Sequence, residues 1–322
     1  MRIRFDAELR WQEALAEGAH EIEGILDGSL DEDGASLSVA RFEHPVLVTD
    51  PHRIAQLPPR RRDLVQSLFG LPRRVIEYDG VELDFDQSTY PRVWSPSIDT
   101  LLVCRAVRGL LPTLGPVRAG LEIGCGSGYL ALYLMEALAR AGRPLDEMHV
   151  IDIDPLAVHC AMAALEKRSG HTVVSGSLGR RGEALRVRGR HDLVLMNPPY
   201  IRRPTELVDG RFRDNPWEGV ALIREVAERG AEFLAPGGSF VIVVSSLCDD
   251  LVMPWLEAAF AVTELASMEV PLKVYAVTSE LTAKSRAWME FLTQAEGLQR
   301  MSPPRDGYDL WQRLRVLRCQ VR

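Results

Sequence analysis

Short apolar runs alternate with longer amphipathic stretches between residues 116 and 270. The apolar runs predict buried strands, which fall at residues 116–123, 149–154, 193–196, 239–244 and 262–270. The amphipathic stretches predict helices, which fall at residues 129–141, 220–234 and 249–260. Strands that alternate with helices in this way are typical of an α/β fold in which helices cross between the strands of one sheet.

The N-terminal part of the chain has a different pattern, made of shorter elements. A stripe of apolar residues predicts a helix at residues 6–27, and residues 37–48 are expected to hold one or two short strands. A second helix is predicted at residues 58–68. Alternating apolar residues on both sides of Asp79 and Gly80 predict a β-hairpin.

These patterns predict two domains. We expect a small accessory domain at residues 1–90, which recognises a substrate or covers the site, and a main domain at residues 91–322. Residues 271–310 are predicted to be an insertion with a helix at 281–292, which either helps to hold substrate or covers a sheet face. Basic and apolar residues alternate at residues 313–319, which predicts a final strand.

The composition is that of an ordinary globular protein. Of the 322 residues, 46% are hydrophobic and 26% are charged, so the chain can bury a sizeable core. The net charge of −7 gives no overall basic signature for nucleic acid. No apolar run approaches the roughly 20 residues that cross a bilayer, and the first residues do not resemble a signal-peptide core.

The cysteines predict a reducing compartment. They are odd in number, scattered and never in C-x-x-C spacing, and they are Cys104, Cys125, Cys160, Cys248 and Cys319. This spacing disfavours both a disulfide framework and a structural zinc site, so no metal is expected. We therefore expect a cytoplasmic protein that does not associate with membranes.

A glycine-rich turn follows the first strand of the main domain. Gly124, Gly126 and Gly128 precede the helix that begins at Tyr129. Glycines let the turn tighten and let a ligand lie against bare backbone. Dinucleotide-binding turns share this feature, but Tyr129 occupies the position of their third glycine, which packs helix on strand.

An acidic residue follows the second strand of the main domain. Asp152 and Asp154 both lie at its end, and Pro155 suits the first turn of the helix that follows. An acid at this position can accept hydrogen bonds from a ribose diol, whereas an acid directly before Pro155 suits a helix N-cap. We assign Asp152 to the ribose and Asp154 to the cap.

The sequence Asn-Pro-Pro-Tyr at residues 197–200 follows the apolar run at 193–196. Prolines fix the backbone and remove N–H donors, so this loop is stiff and presents carbonyl groups. Asn197 adds a neutral carbonyl acceptor and Tyr200 adds a flat ring. Such a loop suits a planar NH2 group, although Asn and Pro are also common in ordinary turns.

The glycine turn, the acid and the Asn-Pro-Pro-Tyr loop, in this order, resemble the class I S-adenosylmethionine-dependent methyltransferases whose fourth motif is Asn-Pro-Pro-Tyr. Residues 93–103 read Val-Trp-Ser-Pro-Ser-Ile-Asp-Thr-Leu-Leu-Val. This segment resembles the protein-glutamine N5-methyltransferases that modify peptide-release factors, especially their archaeal and eukaryotic branch. The resemblance covers roughly residues 75–270.

The resemblance implies a Rossmann-like class I methyltransferase fold: a seven-stranded, mostly parallel sheet with helices on both faces and an antiparallel final strand. It implies S-adenosylmethionine as the cofactor. Residues implied to contact the cofactor are Thr100, Glu122, Gly124, Cys125, Gly126, Gly128, Asp152, Ile153, Ser177, Leu178 and Asn197. Residues implied to be catalytic are Asn197, Pro198 and Tyr200.

The resemblance also implies the acceptor, a planar NH2 nitrogen. A protein glutamine amide is favoured, with a translation factor as a candidate partner. An exocyclic amine of adenine or guanine in RNA or DNA, or a small molecule, stays open because related enzymes with this loop methylate such amines. Two departures bear on the substrate: Ala164 stands where the family usually has Asn, and Ser177 where it usually has an acid near the adenine.

Two other classes of protein are disfavoured. A non-catalytic cofactor-binding module would not need the intact loop at residues 197–200, and an NAD-dependent oxidoreductase would have no role for it. The sequence does not indicate an oligomeric state.

Arginines crowd the loops around the predicted site and are candidates for steering a polyanion. They are Arg180, Arg181, Arg186, Arg188, Arg190, Arg202 and Arg203. Two further basic clusters, at residues 60–62 and 73–74, are either solvated or contact RNA or an acidic protein. Trp94 and Trp217 are the two tryptophans that we expect near the pocket.

Overall fold

The computed structural model describes residues 2–5, 27–30, 37–40, 73–86, 89–90, 93–94, 96, 98–179, 189–203, 219–272, 288, 290–305 and 308–322. The chain divides into two compact units. The first takes in Met1–Thr89, Glu269–Gln294 and Leu298–Gln312, and the second takes in Tyr90–Met268, Ala295–Gly297 and Arg313–Arg322.

The N-terminal residues of the first unit form a five-stranded sheet. Its strands are β1 (Arg2–Phe5), β2 (Asp27–Leu30), β3 (Leu37–Ala40), β4 (Arg73–Tyr78) and β5 (Val81–Asp86). They lie in the order β3-β2-β1-β4-β5, and the neighbouring strands are antiparallel. Buried residues alternate along β5, as expected for a sheet with one covered face.

The predicted hairpin is confirmed. Strands β4 and β5 pair up to Tyr78 and Val81, so Asp79 and Gly80 are the two turn residues. Both have positive φ, 53° at Asp79 and 73° at Gly80. Two-residue hairpins favour positive φ at both turn residues because the turn then matches the twist of the strands, and Asp-Gly adopts this conformation at little cost.

The remaining predictions for the N-terminal part are only partly within the described residues. Strand β3 confirms a short strand in the predicted 37–48 region. Residue 27, the last of the predicted helix at 6–27, belongs to β2 instead, so that end of the prediction is wrong. Residues 6–26 and the predicted helix at 58–68 lie outside the described residues.

A second sheet contains eight strands. They are β6 (Ala119–Ile123), β7 (Glu147–Asp152), β8 (Val173–Leu178), β9 (His191–Met196), β10 (Leu234–Ser245), β11 (Phe260–Pro271), β12 (Gln299–Arg305) and β13 (Tyr308–Val321). Seven lie in the order β11-β13-β10-β9-β6-β7-β8, and β12 pairs with β13. Strands β10, β9, β6, β7 and β8 run parallel, whereas β13 is antiparallel to β10. The seven strands in this order and the antiparallel final strand are those that the resemblance implies, and β12 is an additional strand.

Five α-helices accompany this sheet in the described part of the chain. They are α1 (Ile98–Leu110), α2 (Tyr129–Arg140), α3 (Pro155–Glu166), α4 (Ala221–Arg229) and α5 (Asp249–Ala259). The bounds of α2 and α5 confirm the predicted helices at 129–141 and 249–260. Of the predicted insertion helix, residues 288 and 290–292 are helical, and residues 281–287 lie outside the described residues.

The predicted helix at 220–234 is too long. Helix α4 ends at Arg229, a single 3-10 turn follows at Gly230–Glu232, and strand β10 begins at Leu234. Leu234 pairs with His191, and the register shifts before Ser239. Tertiary pairing therefore decides the helix end: the Pro-Gly-Gly segment becomes an irregular start to a strand rather than a helix stop.

The centre of the sheet carries the core. Strand β9 lies between β10 and β6, and its residues 193–196 are fully buried. Such strands are covered on both faces, which explains why they form continuous apolar runs in the sequence. At the sheet edge, Gly176 makes room for α3, since a Cβ there would lie 2.8 Å from a methyl carbon of Val158.

No helix in the described part of the chain is long and apolar enough to cross a membrane. Among the same described residues, no group of three or more His, Cys, Asp or Glu side chains is arranged to hold a metal ion.

Candidate active site

The three motifs meet at one edge of the sheet. Strands β6 and β9 pair up to Ile123 and Met196, so Gly124 and Asn197 emerge from them side by side. Strand β7 lies on the other side of β6 and ends at Asp152. Because parallel strands end at the same edge and lie about 4.8 Å apart, the glycine turn, the acid and the Asn-Pro-Pro-Tyr loop are neighbours.

The glycine turn is held against β7. The backbone N–H groups of Gly124 and Cys125 both donate to the Ile151 carbonyl, at 2.7 Å and 3.0 Å. Gly124 and Gly126 have positive φ, 69° and 50°. Among the described residues, a Cβ at Gly124 would meet only a methyl carbon of Leu222, at 3.9 Å, so the turn is open at Gly124. A Cβ at Gly126 would lie 3.0 Å from the Trp94 carbonyl oxygen.

Gly128 has a different role from the other two glycines. Its φ is +76°, and a Cβ there would lie 2.6 Å from the Cβ of Ala161 in α3. The start of α2 can therefore pack directly against α3 only if residue 128 has no side chain. The third glycine of a dinucleotide-binding turn packs helix on strand, whereas Gly128 in this protein allows close packing of helix on helix.

The two acids after β7 have separate roles. Asp152 accepts hydrogen bonds from the N–H groups of Gly126 and Asp154, at 3.0 Å and 2.9 Å. Burial raises the pKa of Asp152, and these hydrogen bonds oppose that shift. Asp154 caps α3 by accepting a hydrogen bond from Leu156 N at 2.9 Å, which confirms the predicted cap. The ribose contact of Asp152 stays a prediction.

Glu122 lies beneath the turn rather than at its open side. Its side chain is 3% exposed and accepts a hydrogen bond from the Ala131 N–H at 2.8 Å. Burial is the largest cause that raises the pKa of Glu122 from 4.5 to about 8. Glu122 therefore satisfies a backbone donor in the first turn of α2, and its predicted contact with the cofactor stays a prediction.

Cys125 is also buried, and burial raises the pKa of its thiol. The side chain is thus a small apolar group in the core, and what residue 125 presents at the turn is its backbone.

Two apolar side chains next to Asp152 are unusually exposed. Ile153 is 71% exposed and Leu178 is 61% exposed. Leu178 is the β8 partner of Asp152, so both side chains belong to the same end of the sheet. Exposed apolar side chains beside an acid suit a flat, partly apolar ring joined to a sugar, which is the predicted environment of the adenine.

Ser177 is held by a histidine that sequence reasoning missed. His149 of β7 has ring nitrogens 2.6 Å from Ser175 Oγ and 2.9 Å from Ser177 Oγ. Burial lowers the pKa of His149. His149 is paired with Ser175, and Ser177 is two residues further along the same face of β8. Alternation of side chains along paired strands was therefore the signal that could have predicted these contacts.

The Asn-Pro-Pro-Tyr loop is tied to the first turn of α1. The Asn197 side-chain nitrogen donates to Thr100 Oγ1 at 3.0 Å, and the Tyr200 hydroxyl donates to Asp99 Oδ2 at 2.8 Å. Sequence reasoning missed Asp99, and it assigned Thr100 to the cofactor rather than to Asn197. The adjacent Asp-Thr pair at a helix start was the available signal.

The residues after Tyr200 are also anchored. The Arg202 N–H donates to Cys248 Sγ at 3.3 Å. Gly219 approaches Ile201 so closely that a Cβ there would lie 2.1 Å from the Ile201 carbonyl oxygen. The loop is thus fixed on both sides.

Trp94 lies beside the glycine turn, as expected. Its carbonyl accepts a hydrogen bond from Ser127 N at 3.2 Å, and its side chain is 59% exposed. Trp217 lies outside the described residues, as do four of the seven arginines singled out in the sequence, Arg180, Arg181, Arg186 and Arg188.

The carboxyl ends of these strands fit S-adenosylmethionine. They offer the glycine backbone after β6, the carboxylate of Asp152 after β7 and the exposed apolar side chains of Ile153 and Leu178 beside it. The fold and the site together define a class I S-adenosylmethionine-dependent methyltransferase, as predicted. The chain belongs to the family described as the methyltransferase small domain, whose model matches residues 105–276.

Curated relatives agree with this class. The chain is 31% identical to mouse (Mus musculus) methyltransferase HEMK2 over 47% of this chain and 71% of that protein. It is 28% identical to the release factor glutamine methyltransferase of Agrobacterium fabrum over 65% of this chain and 73% of that protein. It is also 28% identical to the tRNA1(Val) (adenine(37)-N6)-methyltransferase of Porphyromonas gingivalis, over 38% of this chain and 48% of that protein.

Proposed function

We propose that this protein transfers a methyl group from S-adenosylmethionine to the side-chain amide nitrogen of a glutamine in a protein substrate. A translation release factor is the first substrate to test, since one relative is named for that reaction. One observation carries this proposal: the Asn197 amide is oriented by Thr100 at the strand end directly beside the glycine turn.

The orientation of Asn197 matters for the chemistry. Its amide nitrogen points to Thr100, so its amide oxygen points away from α1. An amide nitrogen of a substrate is a poor nucleophile because its lone pair is delocalised. Hydrogen bonds from a substrate NH2 to Asn197 Oδ1 and the Pro198 carbonyl would hold that nitrogen in line and increase its electron density.

The cofactor supplies a methyl group already activated by its sulfonium charge. The protein therefore has to align the acceptor and exclude water. Tyr200, with its hydroxyl fixed on Asp99, offers a ring face against which a flat amide can pack. No strong general base is required, because the nitrogen can lose its proton after the methyl group has been transferred.

A nucleic-acid base is the second candidate acceptor. The relative named as a tRNA adenine methyltransferase supports it, because the exocyclic amine of adenine is also a planar NH2 group. Both acceptors would use the same hydrogen-bond acceptors, so the loop does not distinguish between them.

Labelled methyl transfer distinguishes the two acceptors. Purified protein and tritiated S-adenosylmethionine are added to cell extract, and portions are then treated with protease or nuclease. We expect label that protease releases and nuclease does not. Acid hydrolysis should release this label as methylammonium, which becomes volatile methylamine once the solution is made alkaline, because an N-methyl amide is hydrolysed whereas N-methyl arginine and lysine are not. Nuclease-sensitive label would contradict the proposal, and the Asn197→Ala variant serves as the control for background transfer.

A further inference from the structure

Asp99 and Thr100 at the start of α1 contact two different members of the Asn-Pro-Pro-Tyr loop. Thr100 accepts from Asn197 and Asp99 accepts from Tyr200, across 97 and 101 residues of sequence. Asp99 Oδ1 also accepts a hydrogen bond from the N–H of Thr100 at 2.8 Å. The two side chains thus form one hydrogen-bonded unit with the loop.

We infer that Asp99 and Thr100 are positioning residues for methyl transfer: together they fix the Asn197 amide and the Tyr200 ring in the orientation that the acceptor nitrogen needs. The inference rests on the proposed function, since it assigns these residues a role in that reaction.

The bond between Thr100 and Asn197 selects one end of the amide. Asn197 presents an NH2 group at one end and a carbonyl oxygen at the other, and only the oxygen can accept a hydrogen from a substrate NH2. Thr100 is almost completely buried, so the oxygen that accepts this bond is largely shielded from water. A valine at position 100 would keep the shape of the side chain and remove the oxygen.

The bond between Asp99 and Tyr200 fixes the ring. A hydrogen bond from a hydroxyl to a carboxylate is roughly twice as strong as a hydrogen bond between two neutral groups. Asp99 is 5% exposed, and it lies in the first turn of α1, where the helix dipole favours negative charge. The Tyr200 ring can therefore rotate away only if a buried carboxylate loses a partner.

Kinetics at saturating S-adenosylmethionine distinguish a positioning role of Thr100 from a role in cofactor binding. The full-length Thr100→Val and Thr100→Ser proteins are compared for kcat, for the acceptor KM and for cofactor affinity by calorimetry. We expect kcat to fall about 10-fold to 100-fold in Thr100→Val, because a small misplacement of a reacting group has effects of this size. Thr100→Ser keeps the hydroxyl and should restore most of kcat.

Double variants test whether each residue acts through its partner. Adding Thr100→Val to Asn197→Ala should give no further loss of kcat. Adding Tyr200→Phe to Asp99→Ala should likewise give no further loss, because Asp99→Ala already removes the carboxylate to which the Tyr200 hydroxyl donates. Thermal unfolding and cofactor affinity, measured on every variant, report whether the fold and the cofactor site are retained. In a 15N spectrum, the side-chain NH2 signal of Asn197, identified by its absence in Asn197→Ala, should shift in Thr100→Val.

Two results would overturn the inference. They are an unchanged kcat in Thr100→Val, with or without weaker cofactor binding, and equal losses of kcat in the valine and serine variants. A failure of the proposed function is a separate result. If the wild-type protein methylates a nucleic-acid base instead of glutamine, the glutamine assignment is wrong, and the same valine and serine comparison on that base still tests the positioning roles.

Discussion

Asp152 accepts a hydrogen bond from the backbone N–H of Gly126, with 3.0 Å between Oδ2 and the nitrogen. Its other oxygen accepts from the N–H of Asp154 at 2.9 Å. One carboxylate therefore joins the glycine turn to the segment between β7 and α3. A carboxylate has about four acceptor positions, so the same side chain can hold the turn and still accept a hydrogen bond from a ribose.

Asp152→Ala should weaken S-adenosylmethionine binding at least about tenfold, because hydrogen bonds to a charged group contribute roughly 1.5–3 kcal/mol. Calorimetry with the purified protein measures this change. Asp154→Ala is the matched control: it removes a helix cap and should cost about 1 kcal/mol of stability with little effect on affinity. Unchanged affinity in Asp152→Ala would contradict the ribose role.

Asn197→Ala should reduce kcat by about 100-fold or more, the size of effect seen when a group that stabilises developing charge is removed. S-adenosylmethionine affinity should change by less than about threefold, since the glycine turn and Asp152 are untouched. Single-turnover methyl transfer and calorimetry measure the two quantities. If both are lost together, the loop is structural rather than catalytic.

Gly128→Ala should destabilise the fold by about 3 kcal/mol, through positive-φ strain plus overpacking against Ala161. Gly142→Ala is the matched control, because Gly142 also has positive φ, +69°, but a Cβ there would meet nothing within 4 Å among the described residues. The control should cost only about 1 kcal/mol. Urea unfolding measures both, and equal losses would mean that α3 moves aside without cost.

Glu122→Gln should be more stable than the wild-type protein at neutral and alkaline pH. Burial raises the pKa of Glu122 from 4.5 to about 8, so the folded protein favours the protonated carboxyl. This contribution to stability is fully present below the unfolded pKa and is lost as pH rises towards the folded pKa, by about 1.4 kcal/mol per pH unit. Glutamine cannot ionise and can still accept the Ala131 N–H.

The difference in free energy of unfolding between Glu122→Gln and wild type should therefore be small near about pH 5, grow up to about pH 8 and then level off. Urea unfolding of both proteins at a series of pH values measures it, and the subtraction removes the effects of other titrating groups. A difference that does not depend on pH would mean that Glu122 ionises normally in the folded protein.

Local chemistry explains the predictions that succeeded. Asp79-Gly80 specifies its hairpin because both residues accept positive φ. Asp154 before Pro155 specifies the start of α3, because one residue provides the cap and the other fits the first turn. The apolar run at residues 193–196 forms a central strand, because a strand covered on both faces of a parallel sheet is apolar throughout.

Long-range pairing explains the failures. Strand β1 was not predicted, and its four residues, Arg2–Phe5, form a strand by pairing with β4 about 70 residues away. The end of α4 was misplaced because the pairing of Leu234 with His191 overrides the Pro-Gly-Gly stop signal. In both cases the pairing partner is distant in sequence, so the pattern of neighbouring residues does not predict the pairing.

By itself, the sequence determined the chemistry at each strand end: the glycine turn, the acid and the rigid loop at residues 197–200. Only the tertiary structure decided that Asp99 would hold Tyr200 and that Thr100 would hold Asn197. The physical reason is that backbone preferences depend on neighbouring residues, whereas side-chain hydrogen bonds depend on where the sheet brings the ends of distant elements together.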